Sequence, residues 1–301
     1  MSESLKRVVS ISLGSATRNH TAKAQLLDQE FQIERIGTDG DLELAAKKIE
    51  ELDGKVAAIG LGGIDLYVVA GKKRYIMRDA AKLASMAKQT PVVDGSGLKH
   101  TLEREAVRYL QTEGIVNWPQ EKVLLVSAVD RFGMAEELTV AGAQCTFGDF
   151  LFILELPIPL RSLDAVRRLG ALILPVATRL PFKMLYPTGE KQTQIKDSKT
   201  HRAWMDAATV IAGDFLLIRR YLPTDLSGKT IFTNTVTQDD IKLLEERGAK
   251  QLVTTTPEFD GRSFGTNVME GVFVALGAKE ESDYLPLLQK LKWSPRIIKF
   301  R

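Results

Sequence analysis

Cysteine is nearly absent from this chain of 301 residues, with Cys145 standing alone. A single thiol excludes an intramolecular disulfide and a thiolate metal site. It falls in a stretch that reads as a buried strand, where a cysteine serves as a small apolar filler rather than as a nucleophile. Histidine is as scarce: His20, His100 and His201 are too far apart for ligand spacing, so no metal is expected. The N-terminus has no apolar signal core, which points to a cytoplasmic protein. A membrane span is missing too. The most apolar region, Phe147 to Leu185, is broken by Pro157, Pro159, Pro175 and Pro181 and carries Arg161, Asp164, Arg167 and Arg168. It reads as buried helices at a contact between domains or, in a homodimer, between subunits. Neither sign of charge dominates, since 41 basic against 38 acidic residues leave +3. That bias is too weak for a nucleic-acid partner and leaves a small molecule as the expected one. The basic C-terminal residues Lys290, Lys292, Arg296, Lys299 and Arg301 read as a solvated helix face and tail.

What is present is an α/β alternation that runs twice. A length of 301 residues favours two domains around a cleft. Val8–Leu13 and Phe31–Ile36 read as strands, residues 42–52 as a helix, Val56–Leu61 as a buried strand and Arg78–Lys88 as a helix. Val92-Val93 leads to the turn Asp94-Gly95-Ser96-Gly97 and a helix from Leu98 to Leu110. After a hinge at Trp118-Pro119 the alternation restarts, with strands at Val123–Ser127 and Ala143–Gly148 around a helix at Met134–Ala141. Strands at 209–213, 230–234 and 251–255 follow, with helices at 238–247, 267–276 and 284–291. Alternation of this kind predicts parallel sheets. The expected architecture is an N-terminal α/β substrate domain over residues 1–117 and a Rossmann-like domain over 118–279. Residues 280–301 are expected to form a helix packing back on the first domain. A short echo, Gly148-Asp-Phe-Leu-Phe-Ile153 and Gly213-Asp-Phe-Leu-Leu-Ile218, reads as two strand ends at one sheet edge.

Several residue groups carry chemistry. In a dinucleotide fold, pyrophosphate sits on free backbone N–H groups at the start of the first helix. Here that turn is Ser127-Ala128-Val129-Asp130-Arg131-Phe132-Gly133. It keeps a single glycine, Gly133, and Asp130 beside a phosphate needs Arg131 to offset it. Asp149 ends the second strand, where a carboxylate either binds a ribose 2′-hydroxyl, favouring NAD over NADP, or caps the next segment. Asn234, at another strand end, joins Ser127, Arg131, Gly133 and Asp149 as a cofactor candidate. Asp94 and Lys99 flank a glycine turn and either relay a proton or cap a helix. Ser10, Ser12, Ser15, Thr17, Arg18 and His20 form a hydroxyl-rich turn suited to a carboxylated or polyhydroxylated ligand, or to capping. Gly71-Lys72-Lys73-Arg74 is a basic loop, facing either the cleft or solvent.

Together these residues resemble those of a known family. Asp94-Gly-Ser-Gly-Leu-Lys-His-Thr-Leu-Glu103 resembles the Asn-Thr-Asp-Gly-x-Gly segment and following helix of shikimate and quinate dehydrogenases. Gly261-Arg-Ser-Phe-Gly-Thr-Asn-Val-Met-Glu270 is similar to their Gly-x-Gly-Met-Leu-x-x-Gln helix, and Ser10, Ser12, Ser15 and His20 to their serine-rich loop. The whole chain is similar to the bacterial group known as quinate 5-dehydrogenases. The resemblance implies NAD-dependent hydride transfer from a cyclic hydroxy acid. Asp94 would be the catalytic aspartate, with Ser12, Ser15 and Asn267 on substrate. The family's Asn-Val-Thr-x-Pro-x-Lys segment is missing from the corresponding region, Gly60-Leu-Gly-Gly-Ile-Asp-Leu-Tyr67, which leaves Lys72, Lys73 or Lys99 as the catalytic lysine. A dehydrogenase of a pterin-linked one-carbon unit and a non-catalytic ligand-binding protein are the alternatives.

Overall fold

The computed structural model describes residues 5–71, 73–181, 199–256, 258–259, 262–263 and 265–300. Two parallel-rich sheets organise it. The first has the order β2-β3-β1-β4-β7, formed by β1 (Lys6–Ser12), β2 (His20–Leu26), β3 (Gln29–Gly37), β4 (Ala58–Gly62) and β7 (Val92–Val93). β1 runs parallel to both β3 and β4, while β2 is an antiparallel edge on β3. A small hairpin, β5 (Tyr67–Ala70) with β6 (Lys73–Ile76), leaves the sheet between β4 and the helix α2 (Arg78–Ala84). β2 and this hairpin lie where the sequence reads as turn and loop.

The second sheet has the order β15-β12-β11-β10-β8-β9. Its strands are β8 (Lys122–Leu125), β9 (Gln144–Phe147), β10 (Val210–Ala212), β11 (Thr230–Thr233), β12 (Gln251–Thr254) and β15 (Arg296–Lys299). All pair in parallel except β15, which is antiparallel on β12. Two-residue strands β13 (Glu258–Phe259) and β14 (Arg262–Ser263) pair outside it.

Side chains alternate across each sheet, so each has two cores. On one face of the first, Val9, Ile11, Ile59 and Leu61 pack on α1 (Leu42–Leu52) and α2. On the other, Val8, Phe31 and Ile33 pack on the N-terminal half of α3 (Ser96–Thr112) and on two helices from late in the chain. In the second sheet, Val123, Leu125, Phe147 and Phe232 face α4 (Phe132–Val140), α5 (Leu163–Ala177) and the C-terminal half of α3. The opposite face, with Leu124, Ile211, Ile231 and Leu252, is covered by α6 (Lys199–Ala207), α7 (Phe215–Arg220) and α8 (Gln238–Glu246). α3 therefore contributes Leu98 and Leu102 to one unit and Ala106, Val107 and Leu110 to the other. Trp118 is fully buried and donates its indole N–H to the Val107 carbonyl at 2.9 Å, so the expected hinge is an anchored corner.

The late chain corrects the expected division. α9 (Thr266–Ala275), placed by the sequence in the second unit, packs on the first sheet. Its Gly271 lets the helix backbone approach Val8, whose Cγ1 is 2.8 Å from where a Cβ would stand. Of the terminal stretch, α10 (Tyr284–Lys290) docks on that same core, whereas Arg296–Lys299 is a strand of the second sheet. Ile297 and Ile298 alternate faces there and complete both cores of the second unit. Among the described residues no helix is long and apolar enough to cross a membrane.

Candidate functional site

In doubly wound sheets, ligands bind beyond the carboxyl ends of the strands, where the winding reverses. The reversal lies between β1 and β4 in the first sheet and between β8 and β10 in the second. Lys99 on α3 joins the two edges. Its Nζ lies 2.9 Å from Asp130 Oδ1, in the loop after β8, and 3.5 Å from Asp65 Oδ1, in the loop after β4. The two carboxyl edges therefore meet and are bridged by one buried ammonium. Burial would lower the Lys99 pKa, but the carboxylates of Asp130 and Asp65 raise it well above the usual value. Burial likewise works to raise Asp130, and the charges of Lys99 and Arg131 overcome it and bring it down to about 2. Both groups are charged across the physiological range, so the pair binds and orients better than it relays protons.

The turn after β8 is occupied by the protein itself. Asp149 Oδ1 accepts the backbone N–H groups of Ala128 at 3.0 Å and Val129 at 2.9 Å. These are donors that a dinucleotide fold would aim at pyrophosphate. Asp149 therefore faces inward, toward the loop after β8. Burial raises it to about 6, against the lowering pull of those N–H groups. Gly133 serves packing instead: a Cβ there would stand 2.8 Å from His100 Nδ1 and 3.1 Å from the His100 carbonyl. α4 thus crosses α3 too closely for any side chain at this position. Arg131 is 1% exposed and binds Glu103, itself fully buried, with Asp214 Oδ2 3.5 Å away. Around the turn, two cations (Lys99, Arg131) meet the four carboxylates of Asp65, Asp130, Glu103 and Asp214. An added pyrophosphate would meet net negative charge.

Unmet polar atoms mark the same edge. Glu103 Oε2, Arg131 Nε, Asp149 Oδ2, Thr254 Oγ1 and Thr255 Oγ1 are buried without a hydrogen-bond partner among the described residues. Such groups in a folded protein call for a reason, and a site is one. Ser127 is buried at the end of β8. Asn234, after β11, accepts Thr233 Oγ1 at 3.2 Å and, through its carbonyl, Thr256 Oγ1 at 2.5 Å. It knits two strand ends together.

On the first sheet, Arg35 is the residue that sequence reasoning missed. It follows Phe31 and Ile33 on the inward face of β3, so strand alternation alone could have found it. Its guanidinium donates to Ser12 Oγ at 2.9 Å and the Ser15 carbonyl at 3.0 Å, and it makes no ion pair among the described residues. Burial, then the charge of Arg18, brings its pKa down to about 10. Ser12 and Ser15 thus hold a cation as well as lining the loop after β1. Asn267 donates to Ser10 Oγ at 2.6 Å and is buried there.

The two motif segments do meet. Gly95, at φ 90°, sits so close to Thr266 and Asn267 that no side chain fits. Asp94 does not reach Lys99 through any hydrogen bond or ion pair. Its carboxylate accepts Leu66 N at 2.5 Å, Ser96 N at 3.2 Å and Ser96 Oγ at 2.5 Å, a locking role for the turn. The start of α3 is capped from α9: Glu270 accepts Gly95 N at 2.6 Å, Leu98 N at 3.2 Å and Tyr284 Oη at 2.8 Å. Burial, then the Asp94 charge, raises Glu270 to about 7. Lys73 is on the exposed β6 strand, 5.0 Å over the Tyr75 ring and outside the crevice. Cys145 is half-buried on β9, with its thiol pushed up to about 11 by burial. Lys72, Gly261, Phe264 and most of the polar stretch from Thr188 to His201 lie outside the described residues. No group of three or more His, Cys, Asp or Glu among the described residues is placed to hold a metal.

Residues 97–300, from the first turn of α3 through β15, match the family described as Domain of unknown function (DUF8754). The chain belongs to that family. Residues 7–94 match Domain of unknown function (DUF8753), so the two matches meet at the Asp94 turn. The DUF8754 stretch includes α3, α9 and α10 and thus supplies one whole face of the first sheet. No curated protein matches in sequence. Among solved structures, the NAD-dependent malic enzyme of Thermotoga maritima is 12% identical over 96% of this chain and 84% of its own, with a TM-score of 0.36. The bifunctional methylenetetrahydrofolate dehydrogenase/cyclohydrolase of Thermoplasma acidophilum is 12% identical over 90% and 88%, at 0.35. The arabinose-transporter binding protein of Shewanella sp. ANA-3 is 10% identical over 95% and 96%, at 0.36. Likeness this shallow does not discriminate between two dehydrogenases and a sugar-binding protein. The DUF8754 chain has to be read from its own residues.

Proposed function

We propose that this protein binds a small carboxylated, polyhydroxylated molecule of the quinate or shikimate class in the crevice, with no dinucleotide on the turn after β8. One observation carries the reading: the Asp149 carboxylate already holds the Ala128 and Val129 N–H groups at 3.0 and 2.9 Å. Arg35, with Ser12 and Ser15, is the anchor for the ligand's carboxylate, because it is a part-buried cation that makes no ion pair among the described residues. It springs from β3, and β4 with the Asp65–Lys99 pair lies two strand spacings away, roughly 10 Å and about the length of such a molecule. Lys99 faces the ligand as a fixed positive charge.

A second reading, an NAD- or NADP-dependent dehydrogenase of the same substrate class, draws on Lys99 standing between two aspartates where two carboxyl edges meet. It requires Asp149 to turn outward. Calorimetric titration with quinate and shikimate, together with a nicotinamide turnover assay, separates the two. The first reading expects binding without hydride transfer, weakened about tenfold by Arg35→Gln, which removes a charge-assisted hydrogen-bond donor. Reduction of NAD or NADP by either acid, abolished by Lys99→Met, overturns it in favour of the second.

A further inference from the structure

A groove of about 570 Å³ lies apart from the crevice, between β6 with the start of α2 on one side and the C-terminal end of α5 on the other. One wall therefore belongs to each unit. Among the described residues its lining includes Lys73, Arg74, Arg78 and Arg179 and no acidic residue. The walls are tied together, because Arg78 N donates to the Thr178 carbonyl at 3.0 Å across the groove. Of the four cations, Lys73 and Arg179 have no ion-pair partner among the described residues, and Arg78 meets Asp79 only at 3.4 Å. Arg74 is the one firmly neutralised, by Glu281, and it lies 4.7 Å over the Tyr67 ring. Like charges converging on a concave surface repel one another unless an anion joins them.

We infer that this groove binds a small polyanion carrying two or more phosphoryl groups. Its volume lies in the range of small-ligand sites, roughly 300–1,000 Å³. A nucleic-acid strand would need an extended basic track with free aromatic faces for stacking. Here the charges gather at one depression, and the Tyr75 ring is covered by Lys73 at 5.0 Å. The site is independent of the crevice and does not rest on what the crevice binds.

The test is calorimetric titration with inorganic triphosphate and with inorganic phosphate at matched ionic strength. Triphosphate should bind at least about tenfold more tightly than phosphate, and Arg78→Gln combined with Arg179→Gln should weaken it by about tenfold or more. Lys242→Gln, which removes an exposed cation 3.8 Å from Glu246, should change nothing. Should the double variant fail to fold, Lys73→Gln on the exposed strand carries the same expectation at a smaller loss. ATP binding more tightly than triphosphate would assign the ligand to nucleotides, and equal binding to free polyphosphate. Wild-type protein that does not bind triphosphate, or loses none of it in the groove variants, overturns the inference; so does displacement of triphosphate by a single-stranded oligonucleotide of far higher affinity. NADH binding that vanishes in the double variant belongs to the groove. NADH binding that survives it counts against the crevice reading instead.

Discussion

Gly148-Asp149-Phe150-Leu151 and Gly213-Asp214-Phe215-Leu216 are the same tetrapeptide at the carboxyl edge of the same sheet, and the protein uses them differently. Asp214 caps its own helix, accepting Leu216 N at 2.9 Å and Leu217 N at 3.3 Å. That is the default for an aspartate ahead of a helix. Its side chain is 37% exposed. Asp149 opens a single π-helical turn and is 2% exposed, and it reaches across to the loop after β8. The difference lies in the neighbour. β9 stands beside β8, whose following turn offers free N–H groups, and satisfying them ranks above capping a short irregular turn. A carboxylate spent on this turn is one withheld from a cofactor.

Stability measurements on the two aspartates break or sharpen the comparison most strongly. Asp149→Ala strands two N–H groups, one buried and one part-buried, and should cost about 2–4 kcal/mol in urea unfolding. Asp214→Ala loses a cap and should cost about 1 kcal/mol. Equal losses would mean that Asp149 is an ordinary cap.

The next effect is a pH dependence. The folded pKa of Asp149, about 6, lies above its ordinary value of 3.8, so the native state binds the extra proton. Stability from this group is full below the ordinary value and is lost as pH rises through about 6. Glu270, raised to about 7, acts with the same sign. His100, brought down to about 4 by burial and then by Lys99, opposes them, losing stability as pH falls below its ordinary range. The readable quantity is therefore wild type minus variant. Relative to Asp149→Asn, the wild type should gain on the order of 1–3 kcal/mol as pH falls from 8 to 5. A flat difference would show a carboxylate that ionises normally.

Gly133→Ala probes the other half of the altered turn. A methyl driven against His100 should cost about 1–3 kcal/mol as overpacking, read in the same unfolding assay. A glycine kept only for phosphate approach would tolerate alanine without loss. Smallest of all, Lys73→Ala should leave stability within about 0.5 kcal/mol, as an exposed position does.

How much of this was legible depends on which physical signal each residue sends. Val123 to Leu125, an apolar run bounded by polar turns, announced a buried strand. β2 did not, because His20–Leu26 alternates small and polar residues and buries only Ala22. The β5–β6 hairpin hid behind Gly71 and the charges of Lys73 and Arg74, which read as a solvated loop. α9 is buried nearly all round from Thr266 to Phe273, so its sequence declares an interior helix without saying against which sheet. Asp149 stood out at its strand's end, but its hold on the Ala128 and Val129 N–H groups was not legible, since periodicity does not fix where a side chain turns there. Arg35 sat in plain sight on the inward face of β3. The partners of Lys99 were out of reach: Asp65 and Asp130 are 34 and 31 positions away, and only the tertiary crossing of α3 brings them together.

The route of the chain has a consequence for how the protein comes into being. Residues up to the middle of α3 build the first unit and those to β12 the second; α9 and α10 then return to the first before β15 goes back to the second. While a ribosome is still extending the chain through residue 265, the inner face of the first sheet lacks the covering that α9 and α10 supply. Neither half can finish alone, and the nascent protein carries Val8, Phe31 and Ile33 only partly covered, by α3, until late in synthesis, an aggregation hazard that chaperones exist to manage. The same interlacing means that the mature protein should unfold in one transition, as a single knit body rather than as two domains on a string.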